Sequence, residues 1–266
     1  MDMLINEEIK ISIITPSYNQ GRFIEQTIQS VLNQTYKNIE YIIVDGGSTD
    51  NTLEIIEQYR DKIDLVISEK DKGQSDAINK GFRHATGELI GWINSDDLLY
   101  PDCVEKIVEL YRLYPDGSIF YPAILDVIDG EGKQLFKSII KIPNRDHLLN
   151  KNYSIIQQGS FYSNYLVKKI GYLDESIYFC MDLDLWLRLL YENDKIYSYQ
   201  SGPLAAFRMW EDTKTTQGKF RFLQDIKKAL DRNGSRRFSR AKFNLFYISC
   251  RIWAGNVKRR IMLNFN

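Results

Sequence analysis

Residues 9–19, IKISIITPSYN, and 39–51, IEYIIVDGGSTDN, follow one plan. Each is a β-rich run that ends in turn formers, and the second is continuously apolar from Tyr41 to Val44 apart from the tyrosine hydroxyl. A helix pattern follows each of them. In 21–34, GRFIEQTIQSVLNQ, the residues Phe23, Ile24, Thr27, Ile28, Val31 and Leu32 form one stripe at helical spacing, and 52–61, TLEIIEQYRD, has similar spacing. The alternation continues through 64–68 (DLVIS), 75–85 (SDAINKGFRHA), 88–95 (ELIGWINS) and 101–115 (PDCVEKIVELYRLYP). Continuous apolar strands separated by helices predict a parallel sheet covered on both faces.

Beyond residue 118 the pattern is mixed. SIFYPAILDVID, the turn GEGK and QLFKSIIK predict a hairpin over 118–141; a helix is expected over 181–193 and an extended run over 195–207. With no linker or repeat in between, the second half is expected to join the same sheet.

The chain has 266 residues, 44% hydrophobic, enough for a substantial core. No apolar stretch reaches the length of a membrane span, and MDMLINEEIK lacks the apolar core of a signal peptide, so a cytoplasmic location is expected. Cys103, Cys180 and Cys250 have neither disulfide-framework nor zinc spacing and read as packing residues, and His84 and His147 read as surface or packing residues. The zero net charge hides a split: from Lys219 onward there are 13 Lys or Arg against 2 Asp or Glu. This divides the chain into an acidic domain, 1–218, and a basic tail, 219–266. The tail segment RRFSRAKFNLFYISCRIWAGNVKRRIMLNF interleaves cations with aromatics. It reads either as an amphipathic helix on an anionic membrane surface or as a helix packed on the domain or on a second copy. Without a recognised reading motif, nucleic-acid binding is not expected.

Ligands of open parallel sheets bind beyond the C-terminal strand ends, where strand order reverses. Polar clusters occupy three such ends: Thr15, Pro16, Ser17, Tyr18 and Asn19; Asp45; and Asn94, Ser95, Asp96 and Asp97. Adjacent carboxylates suit Mg²⁺ or Mn²⁺, which take one or two protein carboxylates plus substrate phosphates. No GxGxxG follows the first strand and no P-loop motif occurs, which argues against a dinucleotide fold and a P-loop kinase.

Residues 11–52, then DKGQSDAINKGFRHATGELIGWINSDDLLYP (71–101) and MDLDLWLRL (181–189), resemble the family 2 glycosyltransferases over roughly 9–210. The resemblance implies the GT-A fold, an α/β, Rossmann-like, mostly parallel sheet flanked by helices, here with a basic C-terminal helical extension. It implies an inverting transferase moving a sugar from a nucleotide-diphosphate sugar, with Mn²⁺ or Mg²⁺, to a saccharide or lipid-linked acceptor in cell-surface polysaccharide or glycolipid synthesis. On the matching positions, Thr15, Pro16, Ser17 and Tyr18 form the nucleotide-binding first loop. Asp45 contacts the nucleobase, Asp96 the ribose side and Asp97 the metal, while Asp182 is the base. Asp71, Asp76 and Lys80 fall near the nucleotide by the same likeness, and Arg208 and Lys214 supply charge for the diphosphate. Chemistry alone admits Asp184 as well as Asp182; two positions apart on a helix, they cannot face one acceptor, and Asp184 is expected to cap the helix or to pair with a nearby base such as Arg188 at i+4.

The chain departs from the family pattern in three places. Gly46 follows Asp45 where many members have a second acid, Met181 replaces the Glu of a Glu-Asp pair, and Trp210 stands where related sequences often have His. An indole N–H only donates, so Trp210 is expected to cover the site and not to ligate a cation. The alternatives are a sugar nucleotidyltransferase, which TPSYNQGR does not favour because it lacks a basic signature loop, and a non-catalytic sugar-nucleotide-binding subunit.

Overall fold

The structure, a computed structural model, describes residues 8–211 and 213–263, so most of the N-terminal segment, Asp212 and the last three residues lie outside it, as do the side chains of residues 215–217, 219 and 253–263. The first half is β1 (Ile11–Ser17), α1 (Ile24–Leu32), β2 (Ile39–Asp45), α2 (Thr52–Gln58), β3 (Leu65–Ser68), α3 (Gln74–His84), β4 (Leu89–Trp92), β5 (Leu98–Leu99) and α4 (Cys103–Leu113). The second is β6 (Ile119–Ile128), β7 (Gln134–Ile139), α5 (Arg145–Asn150), β8 (Phe161–Ser163), α6 (Asn164–Ile170), α7 (Met181–Glu192), β9 (Ile196–Arg208), α8 (Lys214–Arg232) and α9 (Arg240–Leu263).

One sheet runs β3-β2-β1-β4-β8-β6-β9-β5, with β7 hairpinned onto β6. β1 to β4 pair in parallel, and β8 lies antiparallel between β4 and β6, so β4, β6 and β9 point the same way. Six of the nine strands therefore share one direction, with β5, β7 and β8 antiparallel to them, and the second half completes the sheet as expected. It is the GT-A architecture. Alternation along each strand explains the continuous apolar runs. Ile13 and Ile43 face the core under α1 and α4, while Ile14, Ile42 and Val44 face the core under α3 and α7. Gly81 allows α3 to sit close on β1: a Cβ there would lie 2.6 Å from Ile14.

The strand order reverses between β1 and β4, since β2 and β3 lie on one side of β1 and β4 on the other. A crevice therefore opens at the ends of β1 and β4.

The division at residue 218 does not coincide with a structural break. Helix α8 crosses it, burying Leu223, Ile226, Ala229 and Leu230, and α9 adds Ala241 and Leu245 to the same core. The change in charge marks a change of surface, whereas the apolar stripe continues. Among the described residues no helix is long and apolar enough to cross a membrane.

Candidate functional site

A cavity of about 680 Å³ occupies the crevice. Its lining includes Pro16, Ser17 and Tyr18 from the end of β1, Asn94, Ser95 and Asp96 after β4, Asp182 from α7 and Lys214 from α8. Four chain segments far apart in sequence thus bring polar groups to one space. Ser17 is 4% exposed, and among the described residues neither its hydroxyl nor the amide oxygen of Gln20, also in the lining, has a hydrogen-bond partner. Buried polar atoms left unpaired at a cavity wall fit a polar ligand.

The adjacent acids differ in direction. Asp96 reaches the cavity, and one of its carboxylate oxygens accepts the indole N–H of Trp210 at 3.0 Å. Burial pushes its pKa up, against that hydrogen bond and the charge of Arg208. Asp97 is fully buried and accepts from the Arg208 backbone N–H at 2.8 Å and from the side-chain amides of Gln158 and Asn94 at 2.9 and 3.0 Å. Burial and the charge of Asp96 push its pKa upward too. The expectation that Asp97 is the cation ligand is not met in this arrangement: the carboxylate at the cavity is that of Asp96, and Asp97 fixes the turn behind it.

Elsewhere in the lining, burial pushes Asp182 to a pKa of about 6, opposed by the Leu183 N–H at 2.8 Å and the charge of Lys214. Burial brings Lys214 down to about 8 against the charges of Asp182 and Asp225. Its ammonium donates to the Tyr178 carbonyl and to the Gln74 amide oxygen, both at 2.9 Å. Gln74 in turn donates to Asn94 at 2.7 Å, and Asn94 to Asp97. One chain of amides therefore links the wall of Asp182 to the paired acids. Asp184 faces the other way, bonded to Arg188 at 2.7 Å and Asn233 at 3.0 Å, as its spacing predicts.

Other expected site residues are placed elsewhere. Arg208 is fully buried, its guanidinium donating to the carbonyls of Asp96, Asp129 and Gly130 and to Gln26. It braces the Asp96 loop against the β6–β7 turn and does not reach the cavity to meet a diphosphate. Asp45 is buried, accepting from the backbone N–H groups of Gly47 and Ser48 and from the hydroxyls of Ser48 and Ser68. It shapes the turn in which Gly47 adopts φ +84°, and among the described residues it is not one that lines the cavity. Thr15 lies beneath the cavity with its hydroxyl 3.0 Å from that of Tyr41. Asp76 and Lys80 pair with one another at 3.4 Å, and Lys80 with Glu69 at 2.8 Å, outside the lining, whereas Asp71 reaches it.

Trp210 lines the cavity with its ring edge-on to Phe23 at 5.0 Å. Its N–H orients Asp96, the part its chemistry allows. Trp210→Phe keeps most of the ring but removes that donor, which otherwise lowers the Asp96 pKa. We expect roughly a tenfold loss of Mn²⁺-dependent nucleotide affinity near neutral pH, with less loss at higher pH, read by calorimetry. An unchanged affinity at all pH values would remove Trp210 from the support of Asp96.

Sequence reasoning did not single out Gln74 or Gln158. Gln74 sits in the quoted DKGQSD segment, but only the fold shows that it spans from α3 to Lys214. Gln158 lies within YSIIQQGSFYSN, of which Tyr153, Gln157 and Gln158 line the cavity.

The donors present fit a hard divalent cation in one respect. Among the described residues no group of three or more His, Cys, Asp or Glu could hold a metal, so the protein supplies too few ligands alone. A single cavity-facing carboxylate suits Mg²⁺ or Mn²⁺ when phosphate oxygens and water complete the shell.

The family model described as glycosyl transferase family 2 matches residues 12–170. A glycosyltransferase of Rickettsia typhi is 33% identical over 189 residues, 68% of this chain and 58% of the relative. Glycosyltransferase GlyA of Streptococcus pneumoniae is 27% identical over 237 residues, 79% of this chain but 33% of GlyA. The chain thus spans little more than half of the first relative and a third of the second. Among solved structures, S. aureus TarS 1–349 in complex with UDP superposes with a TM-score of 0.66 at 18% identity, covering 91% of this chain and 70% of that one. The mannosyltransferase PcManGT of Pyrobaculum calidifontis, in complex with GDP-Man and Mn²⁺, gives 0.63 at 17% identity, covering 88% and 66%. With the family model matching more than half of the chain and a relative 33% identical over two thirds of it, this chain belongs to glycosyl transferase family 2.

Proposed function

We propose that the chain transfers a sugar, with inversion, from a nucleoside-diphosphate sugar to an acceptor hydroxyl at the Asp182 wall. One observation carries the reading: Asp96 from the end of β4 and Asp182 from α7 face the same cavity at the sheet's switch point. The nucleotide lies along Pro16, Ser17 and Tyr18, with the Ser17 hydroxyl and the Gln20 amide oxygen meeting its polar groups. Asp96 would hold Mg²⁺ or Mn²⁺ together with the diphosphate; when bound, the cation supplies charge stabilisation as the diphosphate leaves. Inversion requires a base on the face of the sugar opposite the leaving group, and Asp182 takes the acceptor proton there. Lys214, beside it, keeps Asp182 ionised and offers a cation to developing negative charge. Asp45 acts on the nucleobase, if at all, through the turn it holds.

A UDP-sugar is the first donor to test, with a saccharide or lipid-linked hydroxyl as acceptor in cell-surface glycan synthesis. The experiment is thermal unfolding of the full chain with UDP, GDP and dTDP, each with and without Mn²⁺. We expect UDP with Mn²⁺ to raise the melting temperature by several degrees, and UDP alone by much less, since a ligand at about a hundred times its Kd adds about 2.7 kcal/mol. A flat response to all three nucleotides would overturn the proposal. Metal-dependent binding with no turnover of any sugar nucleotide, even to water, would support the non-catalytic alternative to which Met181 and Trp210 point.

A further inference from the structure

Helix α9 is apolar on two opposite sides. Ala241 and Leu245 are buried and Ile252 packs beside them, whereas Phe243, Phe246 and Tyr247 are 68%, 67% and 56% exposed. With roughly 100° per residue, positions 243, 246 and 247 share an arc of about 100° opposite 241, 245 and 252. Phe238, just before the helix, is 92% exposed. A surface helix ordinarily presents polar residues opposite its core stripe. Three aromatic rings held in water on one face, with a fourth just before the helix, call for an occupant.

The surrounding charge indicates which. From Arg236 to Arg251 there are five Lys or Arg and no Asp or Glu. Arg236 and Lys242 reach Asp146 and Asp231 on neighbouring elements. Arg237, Arg240 and Arg251 are exposed, with Arg237 over the ring of Phe238 at 5.6 Å and Arg251 over that of Tyr247 at 5.9 Å. Aromatic rings rimmed by guanidinium groups match a bilayer interface, where rings enter the boundary between headgroups and acyl chains and cations meet phosphates. A second copy fits less well, because two-fold pairing through this face would bring the same arginines together.

We propose that the outer face of α9 docks the protein on an anionic lipid surface. The two readings of the tail then both hold, one on each side of a single helix. The proposal rests on α9 alone and stands whether or not the transferase reading does.

The test is sedimentation of the full chain with vesicles of phosphatidylcholine, alone and mixed with phosphatidylglycerol, over a range of salt. Two double variants accompany it, Arg237→Gln with Arg240→Gln and Phe243→Ser with Phe246→Ser. The wild-type chain should sediment with the anionic vesicles, only weakly with the neutral ones, and less as salt rises. At about 1 kcal/mol per cation, the arginine pair should weaken partitioning about thirtyfold, and the phenylalanine pair by at least as much. Both pairs are exposed, so melting temperatures should not move. No sedimentation with anionic vesicles, or binding that survives both double variants, overturns the proposal. So does a concentration-dependent dimer that the phenylalanine pair dissolves while lipid binding is absent.

Discussion

Asp182→Asn is expected to lower turnover by roughly 10² or more while leaving donor affinity nearly unchanged. An amide cannot accept the acceptor's proton, yet it preserves the shape of the carboxylate and leaves the nucleotide wall intact. The pH profile should carry the same signature. Burial places the Asp182 pKa at about 6, so kcat/KM should fall as pH drops through that value. Stability should move in the opposite sense. The folded-state pKa is raised above the unfolded one, so the folded protein binds the extra proton between them. This stabilisation is present below the unfolded pKa and is lost as pH rises through about 6. Asp182→Asn removes the buried charge, so at neutral pH the inactive variant should melt slightly above wild type. Steady-state kinetics, nucleotide titration and thermal unfolding check the three parts. If Asp184→Asn is the variant that loses turnover with its fold intact, the base has been misplaced by two residues.

The paired acids give the second large effect. Asp96→Asn should abolish the Mn²⁺-dependent tightening of nucleotide binding and lower turnover by roughly 10² or more, because the carboxylate facing the cavity is lost just where charge develops. Asp97→Asn should behave differently. Its carboxylate accepts from three N–H groups, and an amide there must turn an NH₂ toward at least one of them. The cost is stability, about 1–3 kcal/mol, with the metal dependence retained. Calorimetry with and without Mn²⁺, together with denaturant unfolding, separates the two acids. Loss of metal dependence in Asp97→Asn at unchanged stability would reverse the assignment.

This contrast shows what the sequence could reveal. Strand and helix alternation placed the parallel half of the sheet, because buried strands read as continuous apolar runs and helices as stripes. The Asp184–Arg188 pair was legible because i+4 spacing fixes its geometry. Which of Asp96 and Asp97 turns outward was not legible, for it depends on groups remote in the chain: Arg208, Gln158 and Trp210 reach the SDD turn from β9, the loop before β8 and the segment after β9. The charge of Arg208 suggested phosphate, yet three carbonyls, one side-chain amide and the Phe23 ring at 4.8 Å surround a cation that no local pattern marks as buried. The boundary at 218 followed charge, whereas the fold follows the apolar stripe of α8. Gln74 carries no charge and belongs to no local motif, so its bridge from Lys214 to Asn94 exists only once α3 and α8 are brought together.

The most direct test is a crystal of the full chain with UDP and Mn²⁺, with the metal located by its anomalous scattering. The ion should lie against the carboxylate of Asp96 and the diphosphate, with the nucleotide along Pro16, Ser17 and Tyr18 and the space before Asp182 left for sugar and acceptor. An ion held by Asp97, or a nucleotide bound away from the β1 and β4 strand ends, would contradict this assignment of the site.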